Sequence, residues 1–281
     1  LEVLIAMPVD KQRVHEKKQD EIIDRTSPPG EVIYEAVYAE GEHELERNSL
    51  ELAFSGLAAG LSMGLSMVTE GLLQHHLPNS SWQPLIAKLG YSIGFVVVIL
   101  GRQQLFTKNT LTVILPLLRQ KEPHTAINVA RLWLIVLLGN LVGAFVFAWL
   151  VGNSNIFSSE VRDAFSKIGQ VSMQPDFWTI VVRGALAGWL IALMVWLLPF
   201  AESARLWVVI ILAYVVGIAE LPHVVAGAVE SFYLVTTGAV GFWHSIGSYV
   251  LPAFIGNVIG GAALVAFGAH AEFFEAEEVA E

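Results

Sequence analysis

The sequence predicts an all-α polytopic membrane protein with six transmembrane helices in two inverted three-helix repeats, the second and fifth helices being broken. Three observations predict it. Hydrophobic residues make up 54% of the 281 and charged ones only 15%, where soluble domains carry about 25% charged residues. Several apolar runs approach the ~20 residues that a helix needs to cross hydrocarbon. Two of those runs are interrupted by polar residues in their middle. Backbone in hydrocarbon must satisfy its own hydrogen bonds, so such a break survives only when buried in protein or facing a wet cavity.

The net charge of −10 is unevenly placed. Residues 1–51 hold 6 Lys/Arg against 13 Asp/Glu, and residues 269–281 hold five Glu and no Lys or Arg. The stretch between, 52–268, is the membrane domain, and the acidic ends are solvated tails. Acidic tails offer nothing to nucleic acid, which is bound through basic patches. No cleavable leader is expected, since the first 50 residues are strongly polar. The sequence has no cysteine, which excludes disulfides, thiolate metal sites and thiol nucleophiles. It has no HExxH and no GxSG motif either, so neither an enzyme nor a metal or cofactor site is expected.

In chain order, Ser27-Pro28-Pro29-Gly30-Glu31 reads as a helix start. Val32, Ile33, Tyr34, Ala36 and Val37 recur near helical spacing among glutamates, predicting an amphipathic helix. Its acidic polar face favours packing on the protein over anionic lipid. The first crossing, 52–73, places Gly56, Gly60 and Gly64 four apart, a spacing that lets helices approach closely. Glu70 is expected to be wet, near a helix end. The second crossing, 85–118, breaks at Gly101–Asn109. The third crossing is 127–151 and residues 152–175 read as a longer loop. The fourth crossing is 177–200. The fifth, 206–235, is interrupted by Glu220, Pro222, His223, Gly227 and Glu230. The sixth is 245–267. Arg119, Lys121 and Arg205 in the connectors after crossings two and four place those connectors, and both termini, on the cytoplasmic side.

Gly139-Asn140-Leu141-Val142-Gly143 has a near copy in Gly256-Asn257-Val258-Ile259-Gly260. The offset of 117 carries Phe106 onto His223, so the two breaks correspond. A weaker match links Leu57-Ala58-Ala59-Gly60 with Ala185-Leu186-Ala187-Gly188. Three crossings repeated after an odd number of spans must be inverted, a recurrent transporter plan with the solute site at the broken helices.

His223, beside Pro222, reads as a pore histidine able to donate a hydrogen bond or proton to a small anion. A buried structural histidine bonded to a carbonyl is the plain alternative. Leu105 and Phe106 suit an apolar constriction that gates by excluding water, with Thr107 touching solute; ordinary half-helix packing is the alternative. Arg102 and Lys108 either draw anions inward or snorkel toward headgroups. Glu220 and Glu230 are pore-associated charges or partners of His223 or Arg102. Asn140 and Asn257, flanked by Gly, read as structural residues bonding between packed helices.

Taken together, SGLAAG in the first crossing, LFT after the first break, LGN-x-x-G, the lone His of the fifth segment and GN-x-x-GG resemble the formate/nitrite transporter family over roughly 52–268. The acidic N-terminal tail and VVAGAVES resemble its YfdC-type branch. The resemblance implies an aquaporin-like fold, a homopentamer in the inner (plasma) membrane with one pore per protomer, and small monovalent anions such as formate and nitrite as solutes. Leu105 and Phe106 would line one constriction and Val216 would fall at the other. Proton transfer through the central His is proposed for the family. Departures from its pattern are Gly227 in the place of an Asn, Gly188 in the place of a second Asn, and Gln104 in the place of a Glu. Lys167 stands nearest to the family's vestibule lysine. These losses leave open a different solute on the same fold (a neutral weak acid, water, or a cation using the carboxylates), or a transport-dead scaffold acting through the acidic tail. Lipid and a small solute are the other expected partners.

Overall fold

The structure, a computed structural model, describes residues 29–266 and 268, and these are all helix and connection. The expected tails before residue 29 and after 268, with the capping Ser27, lie outside the described residues. Helix α1, Gly30–Glu46, starts from Pro29 with no side-chain cap. It buries Tyr34, Val37, Gly41, Glu44 and Leu45 against the protein. A Cβ on Gly41 would come 2.0 Å from the Thr112 carbonyl oxygen, so the helix presses directly on the backbone beyond the first break. Arg131 ties its end by donating to the Leu45 and Arg47 carbonyls at 2.9 and 3.1 Å.

Helix α2, Ser49–His76, is capped by Asn48, whose side chain accepts from the Glu51 N–H at 2.9 Å. Helix α3, Gln83–Leu100, contains a 3₁₀ turn at Lys88–Tyr91. After the first break come α4, Phe106–Thr112, and α5, Ile114–Gln120. Helix α6, Pro123–Asn153, is the longest, at 31 residues. Helix α7 is Ser159–Ser172. Helix α8, Phe177–Phe200, closes in a 3₁₀ turn. Its cap Asp176 takes the Thr179 hydroxyl at 2.6 Å and the Trp178 and Thr179 N–H groups. The Thr179 hydroxyl first, with the backbone donors, holds that carboxyl below the usual range. Helix α9, Arg205–Ile218, and α10, Val224–Thr236, flank the second break. Helix α11, Phe242–Ala263, includes a π-helical turn at Ile246–Val250. Five of these, α2, α3, α6, α8 and α11, are long and apolar enough to cross a membrane. The sixth apolar stretch is divided between α9 and α10.

The segment 152–175, expected as a loop, is largely the helix α7. Val161, Ala164, Phe165, Ile168 and Gly169 form its buried stripe, at the spacing of one helical face. That stripe covers α10 and α2: Phe165 meets Tyr233 at 5.7 Å between ring centroids and lies against Gly71.

The helices meet through glycine. Gly56, Gly60 and Gly64 of α2 face Val136, Asn140 and Phe147 of α6, and a Cβ on Gly60 would stand 2.1 Å from the Asn140 carbonyl. Gly184 and Gly188 of α8 face α11 in the same manner, with a Cβ on Gly188 reaching 2.3 Å from the Asn257 carbonyl. Backbones this close exchange dispersion contacts that any side chain would prevent.

Both breaks are built alike. Gly101 and Ala219 each close a last turn onto Val97 and Val215. Arg102 (φ 51) and Glu220 (φ 50) then turn the chain in the left-handed region, uncommon outside Gly, Asn and Asp. Gln103 and Leu221 donate back to Val98 and Val216. Leu105 (φ −102, ψ 126) and His223 (φ −110, ψ 123) are the extended residues from which α4 and α10 restart. The expected pairing of Phe106 with His223 is thus one residue out: Leu105 matches His223, and Phe106 matches Val224.

Candidate functional site

Buried helix ends need partners for their free N–H groups, and two asparagines supply them. Asn140 Oδ1 accepts from the Phe106 N–H at 2.9 Å, while its Nδ2 donates to the Gly56 and Gln104 carbonyls, both at 2.8 Å. Asn257 Oδ1 accepts from the Val224 N–H at 2.8 Å, while its Nδ2 donates to the Gly184 and Pro222 carbonyls at 2.9 and 2.8 Å. Each amide pins a break to two helices at once.

So pinned, the breaks bring Thr107 and His223 together. Thr107 Oγ1 and His223 Nε2 are 2.7 Å apart, and both residues are fully buried. His223 caps α10 with its ring: Nδ1 accepts from the Ala226 N–H at 3.2 Å. A neutral imidazole that accepts at Nδ1 carries its hydrogen on Nε2, so the ring donates to Thr107. Phe95 holds the ring edge-on at 4.9 Å between centroids. Pro222 also keeps Leu221 away from helical backbone, which supports the extended entry to α10.

Leu105, Phe106, Thr107 and His223 line neither of two cavities that flank them. Phe106 is packed between Trp133 (5.6 Å) and Phe254 (5.4 Å). The wide cavity, 690 Å³, is bordered by Arg102, Gln103 and Lys108 of the first break and by Glu40, Glu44 and Arg47 of α1 and its end. Lys108 does not snorkel outward. Its Nζ is 2.7 Å from Glu40 and 3.4 Å from Glu44. Glu44, 6% exposed, also accepts from Gln104 Nε2 at 2.6 Å, and Gln104 Oε1 accepts from Asn109 at 2.8 Å. A carboxylate from α1 therefore stands beside the break. Replacing Glu44 by Ala is expected to speed hydrogen exchange of the 103–107 amides about ten-fold, the loss of roughly 1.4 kcal/mol of local stability. Exchange in α10 should be unchanged; equal rates in both proteins would show that α1 does not restrain the break.

The small cavity, 40 Å³, is bordered by Lys88, Tyr91, Ser172, Arg183, Val216, Glu220, Pro222, Glu230 and Tyr249. Glu220 is exposed. Glu230, 5% exposed, accepts the Ser172 hydroxyl in a short hydrogen bond. Glu70 is not wet: it is fully buried, with Lys88 Nζ at 2.7 Å and Gln74 Nε2 at 3.1 Å. The cations at this cavity are Lys88 and Arg183, not Lys167, which is exposed on α7. Lys88 was visible as a lone base at the start of an apolar span, whereas Tyr249 and Glu44 gave no local signal.

The two glycines expected beside the pathway border neither cavity. Gly188 is a helix-crossing position against Asn257 and the counterpart of Gly60 in α2. Gly227 is filled over by Tyr249, whose hydroxyl would be 1.7 Å from a Cβ there. Glu220 and Glu230 make no hydrogen bond or ion pair with His223 or Arg102; the small cavity, not the histidine, is their setting. Among the described residues no group of three or more His, Asp and Glu has the arrangement to hold a metal ion.

The fold is that of solved channels. It superposes on a pentameric formate channel with formate bound (TM-score 0.69, 18% identity, 80% of this chain and 97% of the other) and on an FNT family ion channel (TM-score 0.73, 20% identity, 85% and 98%). The formate/nitrite transporter profile matches residues 31–271, and the chain belongs to that family. It is 38% identical over 263 residues to the inner membrane protein YfdC of Escherichia coli, covering 94% of this chain and 84% of that one. It is 24% identical over 246 residues to the formate channel BtFdhC of Bacillus thuringiensis, covering 84% and 92%. Family and fold neighbours are channels and transporters, not enzymes.

Proposed function

We propose that this protein is a channel for small monovalent anions of the formate/nitrite type, with His223 and Thr107 as its central polar pair. The observation that supports it most is the 2.7 Å contact between them, buried between two cavities at the meeting of two broken helices. His223 donates to the Thr107 oxygen and so turns the Thr107 hydrogen toward a passing solute. The N-terminus of α10, capped by His223, adds a partial positive charge that favours an anion. Leu105 and Phe106 form the constriction on the wide-cavity side and Val216, fully buried, the one on the small-cavity side. Six crossings in two inverted halves, an aquaporin-like plan, assemble as a homopentamer in the inner membrane. The wide cavity and both termini face the cytoplasm.

Glu220 and Glu230 at the small cavity favour proton-linked passage, in which the solute is held in that cavity as an anion and leaves it as its acid. Purified protein in liposomes should carry formate or nitrite well above empty liposomes, in a screen that includes hydrosulfide, lactate and acetate at two pH values. Steeper flux at the lower pH is the expected mark of proton linkage. No flux of any of the five would overturn the reading. Native mass measurement checks the pentamer.

A further inference from the structure

Tyr249 takes no part in the Thr107–His223 side-chain contact. It belongs to the π-helical turn of α11, a backbone form that is rare and frequent at functional sites. It is 2% exposed and borders the small cavity beside Val216, Pro222 and Glu230. Its hydroxyl lies against Gly227, the fourth residue after His223 and so one turn along the same face of α10. No side chain at 227 can reach the space beside His223, because Tyr249 occupies it from another helix. The hydroxyl oxygen is met by the His223 backbone N–H. A phenol whose oxygen accepts one hydrogen bond still has its own hydrogen to give, and that hydrogen is the donor offered to whatever enters the cavity.

We infer that Tyr249 is a solute-contacting residue that sets specificity, donating its O–H to an oxygen of a compact oxyanion or its acid in the small cavity. The inference rests on the small cavity being part of the solute pathway. The cavity's 40 Å³, against roughly 10–15 Å³ for one water on the same measure, suits a solute of about three heavy atoms. Lys88, held by Glu70 at 2.7 Å, borders the same space and supplies positive charge. Glu230 already takes the Ser172 hydroxyl and repels a second anion, so Tyr249 is the neutral donor that grips an oxygen beside the cations Lys88 and Arg183. A soft anion that accepts hydrogen bonds poorly, such as hydrosulfide, gains little from it.

The test is Tyr249→Phe in the full-length protein, which keeps the ring and removes only the hydroxyl. KM for formate and nitrite flux should rise roughly ten-fold or more, the loss of one hydrogen bond to a charged group. Hydrosulfide flux should stay within about two-fold, whereas loss of packing would lower all three alike. Binding of ¹³C-formate to the detergent-solubilised protein, followed by NMR, is the second readout. Wild-type flux that Tyr249→Phe leaves unaltered for formate, or lowers equally for all three solutes, overturns the inference. Wild-type protein without flux that still binds formate through Tyr249 overturns the channel reading and keeps the site. Formate binding that is equal in both proteins overturns the site.

Discussion

Replacing His223 by alanine is expected to cut formate or nitrite flux at least about a hundred-fold while the protein remains folded. The argument has two parts. Among the described residues Nε2 of the ring has Thr107 as its hydrogen-bond partner, and their 2.7 Å contact orients that hydroxyl. It also caps α10 through Nδ1 and the Ala226 N–H, so its loss frees a buried backbone donor and costs about 1–2 kcal/mol. A hydrogen bond to a developing or full charge in a dry site is worth several-fold more in rate than in water, which sets the scale of the flux loss. His223→Asn separates the two roles. An asparagine caps a helix well but cannot reach Thr107 as imidazole does, so stability should return while flux does not. Thr107→Val, with the histidine intact, should repeat the flux loss. Stopped-flow flux in liposomes and thermal unfolding in detergent read the two quantities. Flux in His223→Ala within a few-fold of wild type would remove the histidine from the pathway.

Replacing Asn257 by alanine is expected to have the largest effect on stability, and Asn140 by alanine an equal one. Each amide satisfies one buried N–H and two buried carbonyls. Leaving a buried polar group unpaired costs about 1–3 kcal/mol, so three such groups amount to roughly 3–6 kcal/mol after partial relaxation. Such a loss is large against the margin of a typical fold. Aggregation on solubilisation, or a fall of well over ten degrees in the unfolding midpoint, is the expected result. Asn257→Leu should be no better, since filling the volume does not replace the hydrogen bonds. A midpoint within two degrees of wild type would show that water takes over the role. The pairing of the two sites makes a further check: if both breaks depend on their asparagines alike, the two single variants should fall by similar amounts.

The places where expectation and structure parted share a physical cause. Hydropathy is a property of the chain taken locally, and it located every apolar segment and both breaks, because an interruption in hydrocarbon cannot be hidden by neighbours. The near copy around Asn140 and Asn257 was legible too, since close packing demands Gly and the buried amide needs carbonyls on both sides. The same glycine logic holds for Gly188, the counterpart of Gly60: the resemblance puts it beside the pathway, and the structure puts it in a helix crossing. Helix α7 was missed although its buried residues fall on one face; its charged face lowered the hydropathy of 152–175 to that of a loop. The one-residue difference in matching the breaks has a structural origin: the asparagine motifs are 117 residues apart, and the break residues Leu105 and His223 are 118 apart. The connection between break and motif differs by one residue between the halves.

What the sequence by itself determined was the class of protein: a helical membrane chain without cysteine, two broken helices, a lone histidine in one break and an LFT in the other. Those follow from composition, hydropathy and local backbone chemistry, which need no knowledge of what lies opposite. Only the tertiary structure decided that Thr107 meets His223, that Lys88 is held by Glu70, that Glu44 reaches Gln104 across about sixty residues of chain, and that Tyr249 fills the space over Gly227. Each of these is a contact between distant segments. Such contacts depend on the crossing of helix pairs within an ångström, and hydrophobic packing of that kind is encoded in shape rather than in any motif.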